Sequence, residues 1–204
     1  MKKNLLCFLM LFVITVISAG CDNEKINETD YLSFNGEKYS VSSNEWYPYG
    51  NVIEQDDYLT FDNDKNNLFI RAYSSQAFDG VIYHKDSDVY PSVKTDDVDK
   101  IVLDCGTEKV EMENKYISEM VAILCAEENT DSLQEADMSS EFIFINIYYE
   151  DYPAYQCKWM IVRTADNSLG VMYCEAEENN THFGRNKAIV INSKELTEYI
   201  NNLF

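Results

Sequence analysis

Basic residues and histidines are scarce in this chain. Its 204 residues include 16 lysines and arginines against 36 aspartates and glutamates, and the only histidines are His84 and His182. This excess of negative charge repels nucleic acid and anionic lipid headgroups, while it permits cationic ligands or basic partner surfaces. We therefore expect no nucleic-acid partner.

Sequence motifs of catalysis are also missing. The chain has no glycine-rich phosphate loop, no nucleophile elbow and no zinc-protease helix. His84 comes shortly before Asp86 and Asp88, which suggests a hydrolase built around this histidine as an alternative hypothesis. His182 lies in an acidic, asparagine-rich stretch typical of an exposed loop. The sequence favours a protein without catalytic activity and without a cofactor.

One segment begins like a calcium-binding loop. Residues 62–66 read Asp-Asn-Asp-Lys-Asn, whose alternate oxygens suit a hard cation. The sixth position of the motif is Asn67 instead of glycine, and the twelfth is Tyr73 where a bidentate glutamate is needed. Aspartate and asparagine are also common in turns. We expect a turn here and no metal site.

The N-terminus has the pattern of an export signal. Lys2 and Lys3 precede an apolar run over residues 5–17, which is shorter than the ~20 residues of a membrane-spanning helix. Ser18-Ala19-Gly20-Cys21 follows. This segment resembles a bacterial lipoprotein signal peptide. The resemblance implies cleavage before Cys21, lipid on its sulfur, and a protein anchored to the outer face of the cytoplasmic membrane or the cell surface.

Export makes disulfides the expected use of the four cysteines that follow Cys21. Two strands are predicted over residues 156–164 and 169–175, which places Cys157 nearly opposite Cys174 across a hairpin. That pairing leaves Cys105 and Cys125 to form the second disulfide. Buried reduced thiols are the alternative, and the spacings do not favour a metal site.

The pattern of the mature chain predicts an α+β fold. Asn35-Gly36 between two strand-like runs predicts an opening hairpin, and residues 142–149 are apolar on both faces, as in a central strand. Amphipathic helices are predicted after Asn114 and after Ser193, because apolar residues recur there at helical spacing. We expect an antiparallel sheet packed by these two helices.

The two predicted helices have similar sequences and each follows several strand-like runs. This favours two ββββα units in tandem, over residues 58–127 and 141–204. Chance similarity between two capped amphipathic helices is the alternative. The predicted organisation is a signal peptide over residues 1–20, a lipid-anchored tether over 21–30 and a single α+β domain over 31–204.

Tyrosine and tryptophan provide the candidate ligand surface. They cluster around Pro48 and around Pro153, in two segments that we expect to be exposed. Flat apolar rings with polar rims suit contacts with sugars or proteins, although tyrosines also cover sheet edges. The candidate residues are Trp46, Tyr47, Tyr49, Tyr149 and Tyr152.

Three functions are consistent with the sequence. The leading hypothesis is a non-catalytic binding or interaction module that recognises a protein or a glycan through these aromatic residues. The second is an inhibitor or accessory subunit of an envelope enzyme, in which the acidic surface meets a basic partner. The third is the hydrolase that uses His84.

Overall fold

A computed structural model describes most of the chain after the predicted tether. The described residues are 31–42, 45–55, 58–72, 81–86, 90–94, 97–126, 133–137, 139, 141–174 and 187–204, within one compact unit, Tyr31–Phe204. They contain fourteen strands in two antiparallel sheets, and two helices. The predicted signal peptide and tether, with Cys21, lie outside the described residues, as do Asp88 and His182.

The first sheet has six strands. In the order β1-β2-β7-β6-β5-β4 they are β1 (Tyr31–Phe34), β2 (Glu37–Val41), β7 (Ile82–Lys85), β6 (Phe69–Ala72), β5 (Tyr58–Phe61) and β4 (Val52–Gln55). Asn35 and Gly36 join β1 to β2 and both have positive φ, 51° and 82°. The opening hairpin therefore forms as predicted, on a turn whose backbone these two residue types tolerate.

This first sheet is rolled instead of flat. Phe34 on β1 and Tyr58 on β5 have ring centroids 5.3 Å apart, although three strands lie between β1 and β5 in the sheet order. In a flat sheet the same strands would be about 19 Å apart. The sheet thus curls around its own small core, which contains Phe34, Tyr39, Ile70 and Tyr83.

The second sheet has eight strands. Seven follow the order β10-β14-β13-β12-β11-β8-β9: β10 (Leu133–Glu135), β14 (Lys187–Val190), β13 (Leu169–Tyr173), β12 (Ala154–Arg163), β11 (Ile143–Tyr149), β8 (Val98–Asp104) and β9 (Lys109–Glu111). The eighth, β3 (Trp46–Pro48), pairs with the start of β12. The apolar run predicted to be central forms β11, which has a strand on each side.

Two short helices pack into the main core with both sheets. Helix α1 (Asn114–Leu124) buries Tyr116, Ile117, Met120 and Val121, and α2 (Lys194–Asn201) buries Leu196 and Ile200. Ser193 caps α2, since its hydroxyl accepts a hydrogen bond from the Leu196 amide. The main core also includes side chains of the first sheet (Phe61, Phe69), of β3 (Trp46) and of the second sheet (Ile101, Leu103, Ile145, Ile147, Ile161, Val171).

The predicted α+β class is wrong, because the described chain is mostly β. Helices of 11 and 8 residues are only about 16 and 12 Å long, whereas the seven strands in a row extend over about 29 Å. The two helices therefore cannot cover the second sheet alone. The convex side of the rolled first sheet, through Phe61 and Phe69, supplies the rest of the cover.

The described strands do not form the predicted tandem repeat of ββββα units either. Strands β11 to β14 before α2 all belong to the second sheet, whereas those before α1 are divided. β5, β6 and β7 lie in the first sheet, and β8 and β9 lie in the second. The similar helices thus follow unlike arrangements of strands, and local helix patterns were a poor guide to the partners of the strands.

Candidate functional site

Four tyrosines form a continuous row on the face of the second sheet that points away from the main core. Tyr47 on β3 is directly opposite Tyr155 on β12, and Tyr155 is directly opposite Tyr148 on β11. Their rings stack in sequence, with centroids 5.4 Å and 4.9 Å apart and planes inclined by 19° and 28°. Tyr49 adds a fourth ring, edge-on to Tyr148 at 5.4 Å. We call Tyr47, Tyr155, Tyr148 and Tyr49 the tyrosine row.

Two polar contacts fix the tyrosine row at the end away from Tyr47. The Tyr49 hydroxyl donates a hydrogen bond to the backbone carbonyl of Tyr152 at 2.9 Å. Lys100 on β8 is directly opposite Tyr148, and its ammonium lies 5.1 Å from the centre of that ring. The same ammonium is 3.8 Å from the Glu111 carboxylate. Lys100 thus continues the row to a fourth strand as a cation over an aromatic face.

The row is only partly exposed, which affects its hydroxyls. Tyr47 has 41% of its surface exposed, whereas Tyr49, Tyr148 and Tyr155 are half-buried. Burial raises the pKa of Tyr155 to about 12, and it also raises the pKa of Tyr49 and of Tyr148. These three hydroxyls are therefore neutral at physiological pH, so each is a donor as well as an acceptor.

Three of the five predicted surface residues are in the core instead. Trp46, Tyr149 and Tyr152 expose only 3%, 2% and 8% of their surface. The Trp46 ring packs 5.6 Å from Tyr149 and 5.1 Å from Tyr152, and the Tyr149 hydroxyl donates to Gln156 Oε1 at 2.7 Å. Only Tyr47 and Tyr49 of the predicted set lie on the row.

Tyr148 and Tyr155 complete the row but were not among the predicted site residues. Side chains alternate along a strand, so Tyr148 and Tyr149 must point to opposite faces. This alternation is visible in the sequence. The sequence does not show which of the two alternating sets of side chains faces the core. That depends on the strand register and on what covers each face of the sheet.

His84 lies among aromatic rings in the interior. It is 3% exposed, its Nε2 is 3.0 Å from the Tyr152 hydroxyl, and its ring stacks on Tyr90 with centroids 4.1 Å apart. Asp86 is bound elsewhere: Lys38 lies 3.0 Å from its carboxylate, and hydrogen bonding from Ser40 and Lys38 lowers the pKa of that carboxyl. The structure thus places His84 in a packed aromatic cluster, while the Asp86 carboxylate pairs with Lys38.

The four cysteines after Cys21 are all among the described residues. Cys105, Cys125 and Cys157 are present as thiols in this structure. The register pairs Trp159 with Tyr173, and the Cys174 amide donates to the Lys158 carbonyl at 2.9 Å. Lys158 is therefore opposite Cys174, and Cys157 lies one residue away from that position. Burial raises the pKa of the Cys157 thiol to about 11. Oxidation of the two pairs stays a prediction that thiol counting under non-reducing conditions tests.

The segment that begins like a calcium loop forms a hydrogen-bonded turn between β5 and β6. The Asp64 carboxylate accepts hydrogen bonds from the Leu68 and Phe69 amides at 2.9 and 2.7 Å. The Asp62 carboxylate accepts bonds from the backbone and side chain of Asn51. Both acids thus bind protein donors. In the described part of the chain, no group of three or more His, Cys, Asp or Glu side chains is placed to hold a metal ion.

Fold and site together define a two-sheet antiparallel β protein with an aromatic row on its outer face. The chain matches no known family model, no curated protein and no solved structure. Neither helix in the described ranges has the length and apolar character needed to cross a membrane. Only the geometry of the chain itself therefore indicates a function.

Proposed function

We propose that the mature protein is a non-catalytic binding module, anchored by lipid on Cys21 to the outer face of the cytoplasmic membrane or the cell surface. Its contact surface for a partner protein is the tyrosine row. The observation that supports this role is the row itself, a run of stacked tyrosines over three adjacent strands, ending at Tyr47 with 41% of its surface exposed.

The way the rings stack favours a protein over a glycan. Sugars bind aromatic residues mainly through the ring faces, but both faces of Tyr155 are covered, by Tyr47 and by Tyr148. Solvent therefore meets the ring edges and the neutral hydroxyls. Rigid amphipathic tyrosine edges are typical of the central part of protein interfaces.

The size of the row suits the centre of such an interface. From Tyr47 to Lys100 it extends over four adjacent strands, or about 14 Å. A standard interface buries about 800 Å² on each partner, and a few aromatic or arginine residues near its centre carry most of the binding energy. The row is thus a binding centre, and the surrounding polar surface supplies the rim.

The excess of acidic residues favours a basic partner and a second candidate function. The net charge of −20 fits an inhibitor or accessory subunit that docks on a basic surface of an envelope enzyme. Charge-led association weakens steeply with salt, whereas contact through the tyrosine row depends on it much less. Partner capture at low and at high ionic strength separates the two candidates.

The decisive experiment is site-specific photocrosslinking in the organism that produces the protein. A photoreactive phenylalanine analogue replaces Tyr47 or, as the control, Tyr31 on β1, which is 60% exposed and lies in the other sheet. We expect a discrete protein adduct from position 47 only. Equal adducts from both positions, or none from position 47, would refute the proposed contact surface. Binding to an isolated glycan that Tyr47→Ala abolishes would assign the row to sugars.

The lipid anchor has its own test. A labelled fatty acid should be incorporated into the unaltered protein and into a Cys105→Ala control, but not into Cys21→Ala, because Cys21 provides the sulfur for the thioether. We also expect Cys21→Ala to leave the membrane fraction or to retain its signal peptide. Label in Cys21→Ala would refute lipid attachment at this residue.

A further inference from the structure

We propose that a cleft on the opposite side of β12 binds a small zwitterion of the α-amino acid type with an apolar side chain. The cleft has a volume of about 610 Å³ and lies where β3, the segment 90–93, the end of α1, β12 and β13 meet. This volume is within the usual range for small-ligand sites. The site is separate from the tyrosine row and does not depend on the function proposed for it.

Two opposite charges face each other in this cleft. The Lys158 ammonium is 3.4 Å from the Glu45 carboxylate, and their side chains are only 24% and 33% exposed. The same ammonium lies 4.6 Å from the centre of the Trp159 ring and 5.6 Å from that of Tyr173. A cation and an anion are thus held together beside aromatic rings, where water screens them less than at an open surface.

This ion pair determines which ligand charge the cleft accepts. A ligand with a single charge would pair with one of the two residues and leave the other half-buried and uncompensated, which is costly. A ligand with one charge of each sign compensates both, its carboxylate at Lys158 and its ammonium at Glu45. Because Lys158 and Glu45 are adjacent, the two ligand charges must also be adjacent, as they are in an α-amino acid.

A hydrogen-bond donor without a partner also points to an acceptor at this site. The indole Nε1 of Trp159 is buried and has no hydrogen-bond partner among the described residues. An unpaired buried donor is destabilising, so such groups call for an explanation. Trp159 lines the cleft beside Lys158, and a ligand carboxylate bound at Lys158 is the acceptor we assign to it.

The end of α1 favours the ammonium of the ligand. Leu124 and Cys125 at this end line the cleft, and the last turn of the helix contains no basic residue. Backbone carbonyls at a helix C-terminus carry partial negative charge, which attracts cations. The helix end and Glu45 thus act on the same charge of the ligand.

The apolar part of the ligand has aromatic walls to contact. Two aromatic pairs line the cleft: Trp46 with Tyr90, and Trp159 with Tyr173, the ring centroids of each pair being 5.5 Å apart. A β-bulge in the pairing of β11 with β12 allows Gln156, Lys158 and Trp159 to line the cleft together. Bulges redirect side chains in this way next to functional sites.

The test uses the mature lipidated protein in detergent, titrated with L-leucine and L-phenylalanine. Both tryptophans line the cleft, so indole N–H signals in nitrogen-15 NMR spectra report on binding; a Trp159→Phe variant assigns them. We expect saturable binding with a shift of the Trp159 signal. N-acetyl-L-leucine and L-leucinamide each lack one charge and should bind at least about tenfold more weakly than L-leucine.

Variants separate the ion pair from general effects on folding. Lys158→Met and Glu45→Gln should each weaken L-leucine binding at least about tenfold. Lys115→Met is the matched control, because Lys115 also pairs with a glutamate and lies over a tyrosine, but at the start of α1; this variant should bind L-leucine normally. The proposal fails if either blocked derivative binds as tightly as L-leucine, if Lys115→Met loses as much affinity as Lys158→Met, or if no amino acid gives a saturable shift.

Discussion

The two faces of β3, β11 and β12 carry nearly the same residue types, but one face is buried in the main core and the other lies at the surface. Trp46 and Tyr149 point into the main core, whereas their sequence neighbours Tyr47 and Tyr148 point outward. A shift of one position along a strand thus separates a buried ring from a surface ring. Aromatic composition predicts that rings cluster here, but only strand parity decides which of them a partner can reach.

The inner rings also join the two sheets. Tyr152 follows β11, and its ring is 5.8 Å from that of Phe69 on β6, while its hydroxyl is 3.0 Å from His84 Nε2 on β7. The outer rings contact one another and Lys100 within the second sheet. The inner rings should therefore contribute mainly to stability, and the outer rings mainly to binding.

The largest effect should come from Trp46→Ala. Trp46 is 3% exposed and packs on Tyr90, Tyr149 and Tyr152, so its removal leaves a cavity between the sheets. We expect the free energy of unfolding to fall by about 3–5 kcal/mol, measured by urea denaturation. A loss below about 1 kcal/mol would mean that the inner rings do not hold the sheets together.

A smaller loss is expected from Tyr149→Phe. The change removes the hydroxyl that donates to Gln156 Oε1 at 2.7 Å inside the protein. A buried acceptor deprived of its donor costs about 1–3 kcal/mol, which urea denaturation would resolve. The matched control is Tyr148→Phe, on the next residue and the opposite face, for which we expect less than about 0.5 kcal/mol. Equal losses would contradict the contrast between the two faces.

Much of the local structure could be predicted from the sequence. The Asn35-Gly36 turn, the interior position of β11 and the capping of α2 by Ser193 all follow from short-range chemistry. The fold class could not, because it depends on which strands share a sheet. The rolling of the first sheet brings Phe34 to Tyr58, a contact between strands that the order of the sheet separates.

The candidate site could be predicted by region but not by residue. Both aromatic segments contribute to it, but the predicted residue Tyr149 faces the core, and its neighbour Tyr148 faces outward. The bulge in the pairing of β11 with β12 also obscures which residues face the core. Ile145 is opposite Trp159 and Ile147 is opposite Gln156, so β12 has one residue more than β11 between these pairs. No local pattern in the sequence marks that extra residue.

High pH should destabilise the protein through the half-buried outer rings as well as the inner ones. Burial raises the pKa of Tyr155 to about 12, against about 10 in the unfolded chain, so the folded form holds this proton more tightly. Below pH 10 this group adds no pH dependence, and stability falls from about pH 10 to pH 12. Urea denaturation across this window should show a shallower fall for Tyr155→Phe, because phenylalanine cannot ionise. An unchanged slope would contradict the assignment.

The smallest effect on stability should come from Tyr47→Ala. Tyr47 stacks on Tyr155 at the more exposed end of the row, with 41% of its surface exposed, so we expect a loss below about 1 kcal/mol. The same change should weaken capture of the partner protein at least about tenfold, since central tyrosines contribute strongly to interfaces. Tyr31→Ala, on the other sheet, is the control for both measurements. If Tyr47→Ala destabilised the fold as much as Trp46→Ala, the outer row would be a structural element like the inner rings, and the proposed contact surface would lose its basis.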